Sequence, residues 1–251
     1  MLKKLPKPAI IAHRGACAYA PENTLSAFEL AVQQQADAIE LDVQLSADDH
    51  IIVIHDKTVN RTTDGEGLIS NLPLKTLKEL DAGSAYDDAF RGEKIPTLAE
   101  VFETVGKKIF INVELKSLLT SKKLTEKVAK CVRDHNMASR VLFSSFNPIA
   151  LIQIAKLLPQ TPRGLLVYSG PLGVLARTRF GELVPHQSLH INLQGAKQDL
   201  VDRAHRQGRS VLVYTVNHPA DIQRLVKLGI DGFFTNDPHL ARTTVAKIAA
   251  K

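Results

Sequence analysis

Apolar and polar positions alternate most cleanly at residues 39–56. In Ile39-Glu40-Leu41-Asp42-Val43-Gln44-Leu45 the odd positions are apolar and the even ones polar. Side chains of a strand point alternately to its two faces, so this spacing predicts a strand with Glu40, Asp42 and Gln44 together on one side. Ala47-Asp48-Asp49-His50 then separates it from Ile51-Ile52-Val53-Ile54-His55-Asp56. Four residues are too few for a helical crossover and predict a hairpin. With the turn centred near Asp48, Ile54 returns opposite Asp42 and His55 opposite Leu41. An imidazole is thereby brought to the level of two acids.

The same reading extends along the chain. Ala9-Ile10-Ile11-Ala12 is a short apolar strand running into His13-Arg14-Gly15. A helix is predicted over 24–35, with Leu25, Phe28 and Val32 on its inner face and Asn23 as N-cap. Residues 57–96 break the rhythm: they read as an insertion, too long for a connection and too thin in core residues to fold alone. Beyond a helix at 97–105, strands are predicted at 108–115, 141–145, 164–168, 188–193, 210–216 and 232–235. Helices fall at 121–135, 148–158, 196–207, 219–228 and 238–249, with one more near 172–180. The hairpin return aside, this makes eight strands, mostly alternating with helices. Such alternation argues a parallel sheet wrapped in helices, and eight units close into a (β/α)₈ barrel. The expectation is one α/β domain over 1–251, with the small inserted segment at 57–96. A doubly wound open sheet is the alternative, but no Gly-rich phosphate loop of the dinucleotide or Walker type supports it.

Composition narrows the function classes. A net charge of +6 invites a nucleic-acid reading, yet Lys and Arg are scattered, aromatics are 5% and Trp is absent, which leaves no stacking platform. The basic surface instead suits steering of anionic small molecules. Cys17 and Cys131 form no disulfide framework and fit a reducing compartment. The first eight residues hold two prolines and no apolar signal core, and no apolar run approaches the ~20 residues of a membrane span. The expectation is a cytoplasmic protein with no stable membrane anchor and no nucleic-acid partner; no oligomeric state is assigned.

Active sites of such barrels gather at the C-terminal ends of the strands. The first strand ends on His13 and Arg14, the second carries Glu40 and Asp42, and the third puts Asn112, Glu114 and Lys116 on one face. Charge this dense facing a barrel interior must be paired or bound to a metal. Three carboxylates are hard oxygen donors, which favours Mg²⁺, Ca²⁺ or Mn²⁺; no His pair at i, i+4 and no Cys-x-x-Cys supports Zn²⁺. Arg14 and Lys116 are cations for a phosphoryl group. His13 and His55 can divide general acid and base work. Singly, each residue has an ordinary structural reading, and their coincidence at strand ends is the signal. The remaining histidines (His50, His135, His186, His190, His205, His218 and His239) are read as surface or packing residues on turns or helices.

His13-Arg14-Gly15, Pro21-Glu22-Asn23-Thr24, Ile39-Glu40-Leu41-Asp42-Val43, His55-Asp56 with Arg61-Thr62-Thr63, Ile95-Pro96-Thr97-Leu98 and Asn112-Val113-Glu114-Leu115-Lys116 follow in that order. Ser145-Phe146-Asn147-Pro148, Tyr214-Thr215-Val216-Asn217 and Gly229-Ile230-Asp231-Gly232 complete the series. The series covers nearly the whole chain and resembles the glycerophosphodiester phosphodiesterase family, in its bacterial cytoplasmic type. The resemblance implies a (β/α)₈ barrel with a small insertion. It also implies one divalent cation, Mg²⁺ or Ca²⁺ with Mn²⁺ as a third choice, held by Glu40, Asp42 and Glu114. His13 and His55 become the acid/base pair, Arg14 and Lys116 the phosphate contacts, and Glu22 the ion-pair partner that orients Arg14. Tyr214 stands where an indole is common and forms a wall of the substrate pocket. Asn236 stands where an Asp is frequent, at a position set outside the catalytic group. The implied reaction cleaves a small glycerophosphodiester, such as glycerophosphocholine, to glycerol 3-phosphate and an alcohol. Attack comes from the glycerol 2-hydroxyl through a cyclic phosphate, or from water. A lysophospholipase D on the same residues and a catalytically idle barrel that binds phosphorylated ligands are the other readings.

Overall fold

The structure, a computed structural model, describes residues 2–116, 122–167 and 183–250. Its strands are β1 (Ala9–Ala12), β2 (Ala38–Leu45), β3 (Ile51–Val53), β4 (Phe110–Leu115), β5 (Val141–Ser145), β6 (Arg163–Val167), β7 (Ser188–Asn192), β8 (Ser210–Tyr214) and β9 (Gly232–Thr235). All but β3 are parallel neighbours in the order β1-β9-β8-β7-β6-β5-β4-β2, and a β1–β2 pairing closes the circle. The eight-stranded barrel read from the alternation is therefore the fold. The helix expected near 172–180 lies outside the described residues. Among the described residues no helix is long and apolar enough to cross a membrane.

Helices α1 (Leu25–Gln33), α3 (Leu98–Val105), α4 (Lys122–Asp134) and α5 (Pro148–Leu157) cover one side of the barrel, with α2 (Leu74–Glu79) between β3 and α3. α6 (Gln198–Arg206), α7 (Pro219–Lys227) and α8 (Pro238–Ala249) cover the other. α5, α7 and α8 each begin on a proline, whose missing N–H costs nothing in a first turn. Thr97 and Glu100 form a reciprocal capping box at the start of α3. The apolar face of β2 (Ile39, Leu41, Val43) packs on Phe28, Val101 and Phe102 from the helices. Its polar face looks into the barrel, so the alternation marks two buried environments rather than one wet face and one dry face.

Lower in the barrel the interior is apolar, filled by Ile11, Ala38, Leu142, Leu212 and Phe234. His190 on β7 joins them, fully buried, 5.2 Å from the Phe234 ring between centroids. His190 is thus a packing residue, as expected, but on a strand inside the barrel, which corrects its placement on a turn or helix. It occupies an inward strand position, like Ser188 two residues before it.

β3 pairs antiparallel with β2 through Val43↔Val53 and Leu45↔Ile51, and the Ile54 N–H donates to the Asp42 carbonyl at 3.0 Å. Ile54 thus returns opposite Asp42, as the turn spacing required. Between β3 and α3, Val59, Ile69, Leu77, Ala82 and Ile95 pack against Ile52 and Ile54 of the hairpin. The segment therefore shares its small core with the strand that delivers His55.

Gly164 on β6 lies against the buried His190 ring: a methyl there would stand 2.1 Å from His190 Nε2. Gly164→Ala is expected to lower the unfolding free energy by about 1–3 kcal/mol, the usual cost of overpacking a tight interior. Urea unfolding followed by circular dichroism measures it, and an unchanged midpoint would contradict the packing described.

Candidate active site

β1 delivers His13 and Arg14 through an abrupt turn. The His13 N–H still donates to the Thr235 carbonyl at 2.8 Å, extending the β1–β9 ladder by one residue. Arg14 (φ 55°) and Gly15 (φ 84°) then both enter the left-handed region. Gly15 has no room for a side chain, since a Cβ would stand 2.7 Å from the backbone of Ala27. The conformation at Arg14 costs free energy for a non-glycine residue. It aims the Arg14 N–H at Glu40 Oε2, 3.0 Å away.

Asn23 (φ 58°) is left-handed as well, and its side chain reaches Asp42 instead of capping the helix. Its Nδ2 donates to Asp42 Oδ2 at 3.0 Å, and its Oδ1 accepts the Asp42 N–H at 3.4 Å. The cap of α1 is Thr24, whose extended backbone lets Oγ1 accept from the Ala27 N–H. An N-cap needs extended backbone, which Asn23 does not have, so the expectation that placed the cap there is corrected.

The parallel register of β2 and β4 sets Glu40 beside Asn112 and Asp42 beside Glu114. Carboxylate oxygens of Glu40, Asp42 and Glu114 lie within 4.8 Å of one another, the first two acids buried. Lys116 Nζ is 3.1 Å from Glu114 Oε1 and 3.4 Å from Asp42 Oδ1, and Arg14 Nε is 3.5 Å from Asp42 Oδ2. Burial and the charges of Asp42 and Glu114 push the Glu40 carboxyl well above the usual range. Burial and Asp42 push Glu114 up to about 7. Burial opposes ionisation of Asp42 too, but Lys116 and Arg14 outweigh it and hold that group below its ordinary value. Three hard oxygen donors that resist sharing negative charge fit a divalent cation. The Asn112 Oδ1, facing the same space, accepts no hydrogen bond among the described residues.

Both expected histidines reach this cluster's cavity. His13 Nδ1 lies 2.9 Å from Asn236 Oδ1, and His55 Nδ1 lies 2.7 Å from Asp56 Oδ1. With an oxygen accepting in each case, Nδ1 carries the proton and Nε2 is the basic nitrogen of either ring. Burial, then the Arg14 charge, lowers the His13 pKa to about 4. Asn236, which the sequence reading set outside the catalytic group, therefore touches a ring that lines this cavity. His55 is braced by Gln44, whose Nε2 donates to the carbonyls of Ile54, His55 and Asp56 at 3.1, 3.1 and 2.6 Å.

Glu22 accepts from Arg14 at 3.0 Å, as the resemblance implied, and also takes a paired contact from Arg61. The Tyr214 hydroxyl donates to the Val167 carbonyl at 2.8 Å, and its ring meets Phe146 edge-on at 6.2 Å. A cavity of ≈ 210 Å³ is lined by His13, Arg14, Glu40, His55, Glu114, Lys116, Phe146 and Tyr214, with His190 in its floor. A second cavity of ≈ 430 Å³ shares His55, Glu114, Lys116 and Phe146 with it and continues along Leu45, Lys57, Leu68 and Leu115. Every residue named from sequence thus joins one site. Asn23, Gln44, Asp56, Arg61 and Asn236 were given no role there. Gln44 had a visible signal, because it shares the polar face of Glu40 and Asp42.

The floor of the site is pH-sensitive. Burial lowers the His190 pKa to about 3, against about 6.5 in an unfolded chain. Between those values the unfolded chain takes up a proton that the folded ring refuses, so this ring's contribution to stability falls as pH drops from about 6.5 toward 3 and is level above that window. His190→Gln is expected to flatten the slope of unfolding free energy against pH between pH 4 and 6.5. Equal slopes for variant and wild type would contradict a neutral buried ring.

Comparison with known proteins gives the chain its family. Residues 13–240 match the model of the glycerophosphoryl diester phosphodiesterase family. A glycerophosphodiester phosphodiesterase of Caldanaerobacter subterraneus is 40% identical over 243 residues, covering 96% of this chain and 99% of its own. A phosphodiesterase of Oleispira antarctica, solved in complex with its product sn-glycerol-3-phosphate, superposes with a TM-score of 0.88 at 34% identity, over 96% of this chain and 97% of that one. The glycerophosphodiester phosphodiesterase of Agrobacterium tumefaciens gives 0.82 at 29% identity, over 93% and 98%.

Proposed function

This chain belongs to the glycerophosphoryl diester phosphodiesterase family, and from that premise we propose that it hydrolyses glycerophosphodiesters to glycerol 3-phosphate and an alcohol, using one divalent cation and two histidines. One observation carries the reading: two imidazoles and two cationic side chains line a single cavity together with Glu40 and Glu114, and Asp42 completes a cluster of three acids with that pair. The product bound by the Oleispira relative supports the same substrate class.

Glu40, Asp42 and Glu114 would hold the cation, Mg²⁺ or Ca²⁺ with Mn²⁺ as a third choice, which when bound polarises a phosphoryl oxygen and offsets its charge. Arg14 and Lys116 supply the remaining positive charge, Arg14 through a planar fork and Lys116 as a point charge. One imidazole accepts a proton from the attacking oxygen at its neutral Nε2, and the other, entering the step as imidazolium, gives its Nε2 proton to the departing alcohol as the P–O bond breaks. With each Nδ1 tied to an oxygen, neither ring has to reorient to present Nε2. Tyr214 and Phe146 form an aromatic wall for the glycerol end.

The larger adjoining cavity favours a second reading, a lysophospholipase D activity. Leu45, Leu68 and Leu115 give it apolar walls that could take an acyl chain, and the sequence alone did not reveal them.

A panel of glycerophosphodiesters assayed for glycerol 3-phosphate, beside lysophosphatidylcholine, separates these readings. Turnover is expected to vanish in EDTA and to return with added Mg²⁺, Ca²⁺ or Mn²⁺. His13→Ala and His55→Ala are each expected to lower kcat by about 10²–10⁴-fold with the unfolding midpoint retained. Full activity in EDTA, or in both variants, would sink the assignment. Binding of a diester without turnover under any of the three cations would leave an idle phosphate-binding barrel.

A further inference from the structure

Arg61 lies outside the cavity, half exposed, in the segment that follows β3. Its guanidinium is nevertheless fully engaged. Nε donates to Asp56 Oδ2 at 2.6 Å, while the two terminal nitrogens donate to Glu22 Oε1 and Oε2 at 2.7 and 2.9 Å. Each acid also touches a residue of the site: the other oxygen of Asp56, Oδ1, meets His55 Nδ1 at 2.7 Å, and Glu22 Oε1, which Arg61 and Arg14 share, accepts from Arg14 at 3.0 Å. The result is an unbroken chain, His55–Asp56–Arg61–Glu22–Arg14. It joins the loop after β1 to the loop after β3, two stretches that no backbone ladder connects at this level.

We propose that Arg61 is a positioning residue for the reaction, a double clamp that fixes the proton-transfer imidazole His55 through Asp56 and the phosphate-binding Arg14 through Glu22; the inference rests on the functional reading above. The geometry explains why the residue is an arginine. Three donors in one plane meet two carboxylates from different loops, which an ammonium on a flexible stem does not reproduce. Asp56 bonded to Arg61 stays ionised, with its carboxyl well below the ordinary range because of that hydrogen bond first and the one from His55 after it. An ionised Asp56 accepts and cannot donate, so His55 keeps its proton on Nδ1 and offers Nε2 to substrate. Glu22, gripped through both oxygens by Arg61, presents Oε1 to one terminal nitrogen of Arg14 and so fixes where that guanidinium is tied.

The test compares wild type with Arg61→Ala, Arg61→Gln and Arg61→Lys on glycerophosphocholine with Mg²⁺. It adds the long-range ¹H–¹⁵N spectrum of the histidine rings in the metal-free protein. Loss of the clamp is expected to lower kcat and raise KM together, for a fall in kcat/KM of about 10- to 100-fold, while the unfolding midpoint changes little. Lys at this position restores part of one parameter and not both. Asp56→Asn alone lowers kcat, Glu22→Gln alone raises KM, and Arg61→Ala combined with Asp56→Asn is no slower than the worse single variant. In the spectrum the His55 Nδ1–H signal shifts or is lost in Arg61→Ala and Arg61→Gln. Unchanged kcat and KM overturn the proposal, as do losses that only track the folded fraction, or additive losses in the double variant. Should wild type turn over no diester, the functional reading fails, and an unmoved His55 signal would separately overturn the clamp.

Discussion

Like-charge repulsion inside the barrel mouth governs this molecule. Two carboxylates about 4 Å apart repel by roughly 4 kcal/mol where the effective dielectric is ~20, and here three converge within 4.8 Å. A flexible scaffold would let them drift apart. Two adjacent parallel strands do not, because a slip of one residue between β2 and β4 would turn the acids out toward the helices and drive Leu41 or Val113 inward. The apolar packing of Ile39, Leu41 and Val43 behind β2 is thus what keeps Glu40 and Asp42 facing each other's charge.

The surrounding residues read as responses to that constraint. Arg14 and Asn23 adopt left-handed backbone conformations, and each thereby aims a donor at one of the acids. Lys116 shares its ammonium between Asp42 and Glu114, held there by its own N–H on the Val43 carbonyl. Asp42 collects most of this help and remains ionised, whereas Glu40 receives one backbone N–H and is pushed toward its neutral form. Strain at two loop residues is a modest local cost, offset by charge-assisted hydrogen bonds that are stronger in a buried setting than in water.

Much of this was legible in the sequence, and the reasons are specific. Period-two alternation located β2 and its polar face, and the four-residue turn fixed the register that returns Ile54 to Asp42. Alternating strand and helix patterns gave the closed barrel, because strands such as β2 and β4 and helices such as α4 and α8 are long enough to carry their own periodicity. What stayed hidden depends on backbone conformation or on pairing between distant segments. An Asn before a helix serves equally as a cap or as a left-handed turn residue, and its φ decides which. Asn236 meets His13 because β9 runs beside β1, a neighbour relation across the whole chain. His190 was grouped with turn and helix residues although Ser188-Leu189-His190-Ile191-Asn192 alternates polar and apolar, the period-two pattern of the strand that carries it. α2 is six residues long, too short to show a periodic signature.

The arrangement also separates what is rigid from what is adjustable. The acids and Lys116 belong to β2, β4 and the residue just beyond β4, where register and core packing fix their positions. The histidines and Arg14 come from strand ends and loops, where side-chain contacts must do the same work: Asn236 for His13, Asp56 and Gln44 for His55, Glu22 for Arg14. Charge that would be destabilising anywhere else sits on the part of the fold least able to yield. The two imidazoles sit where a neighbouring carboxamide or carboxylate can set which nitrogen is exposed. A cation bound by the acids relieves the repulsion that raises the Glu40 and Glu114 carboxyls, so binding it and shedding their protons are one coupled event. Under the proposed reading, the same repulsion among the three acids would favour a doubly charged ion between them.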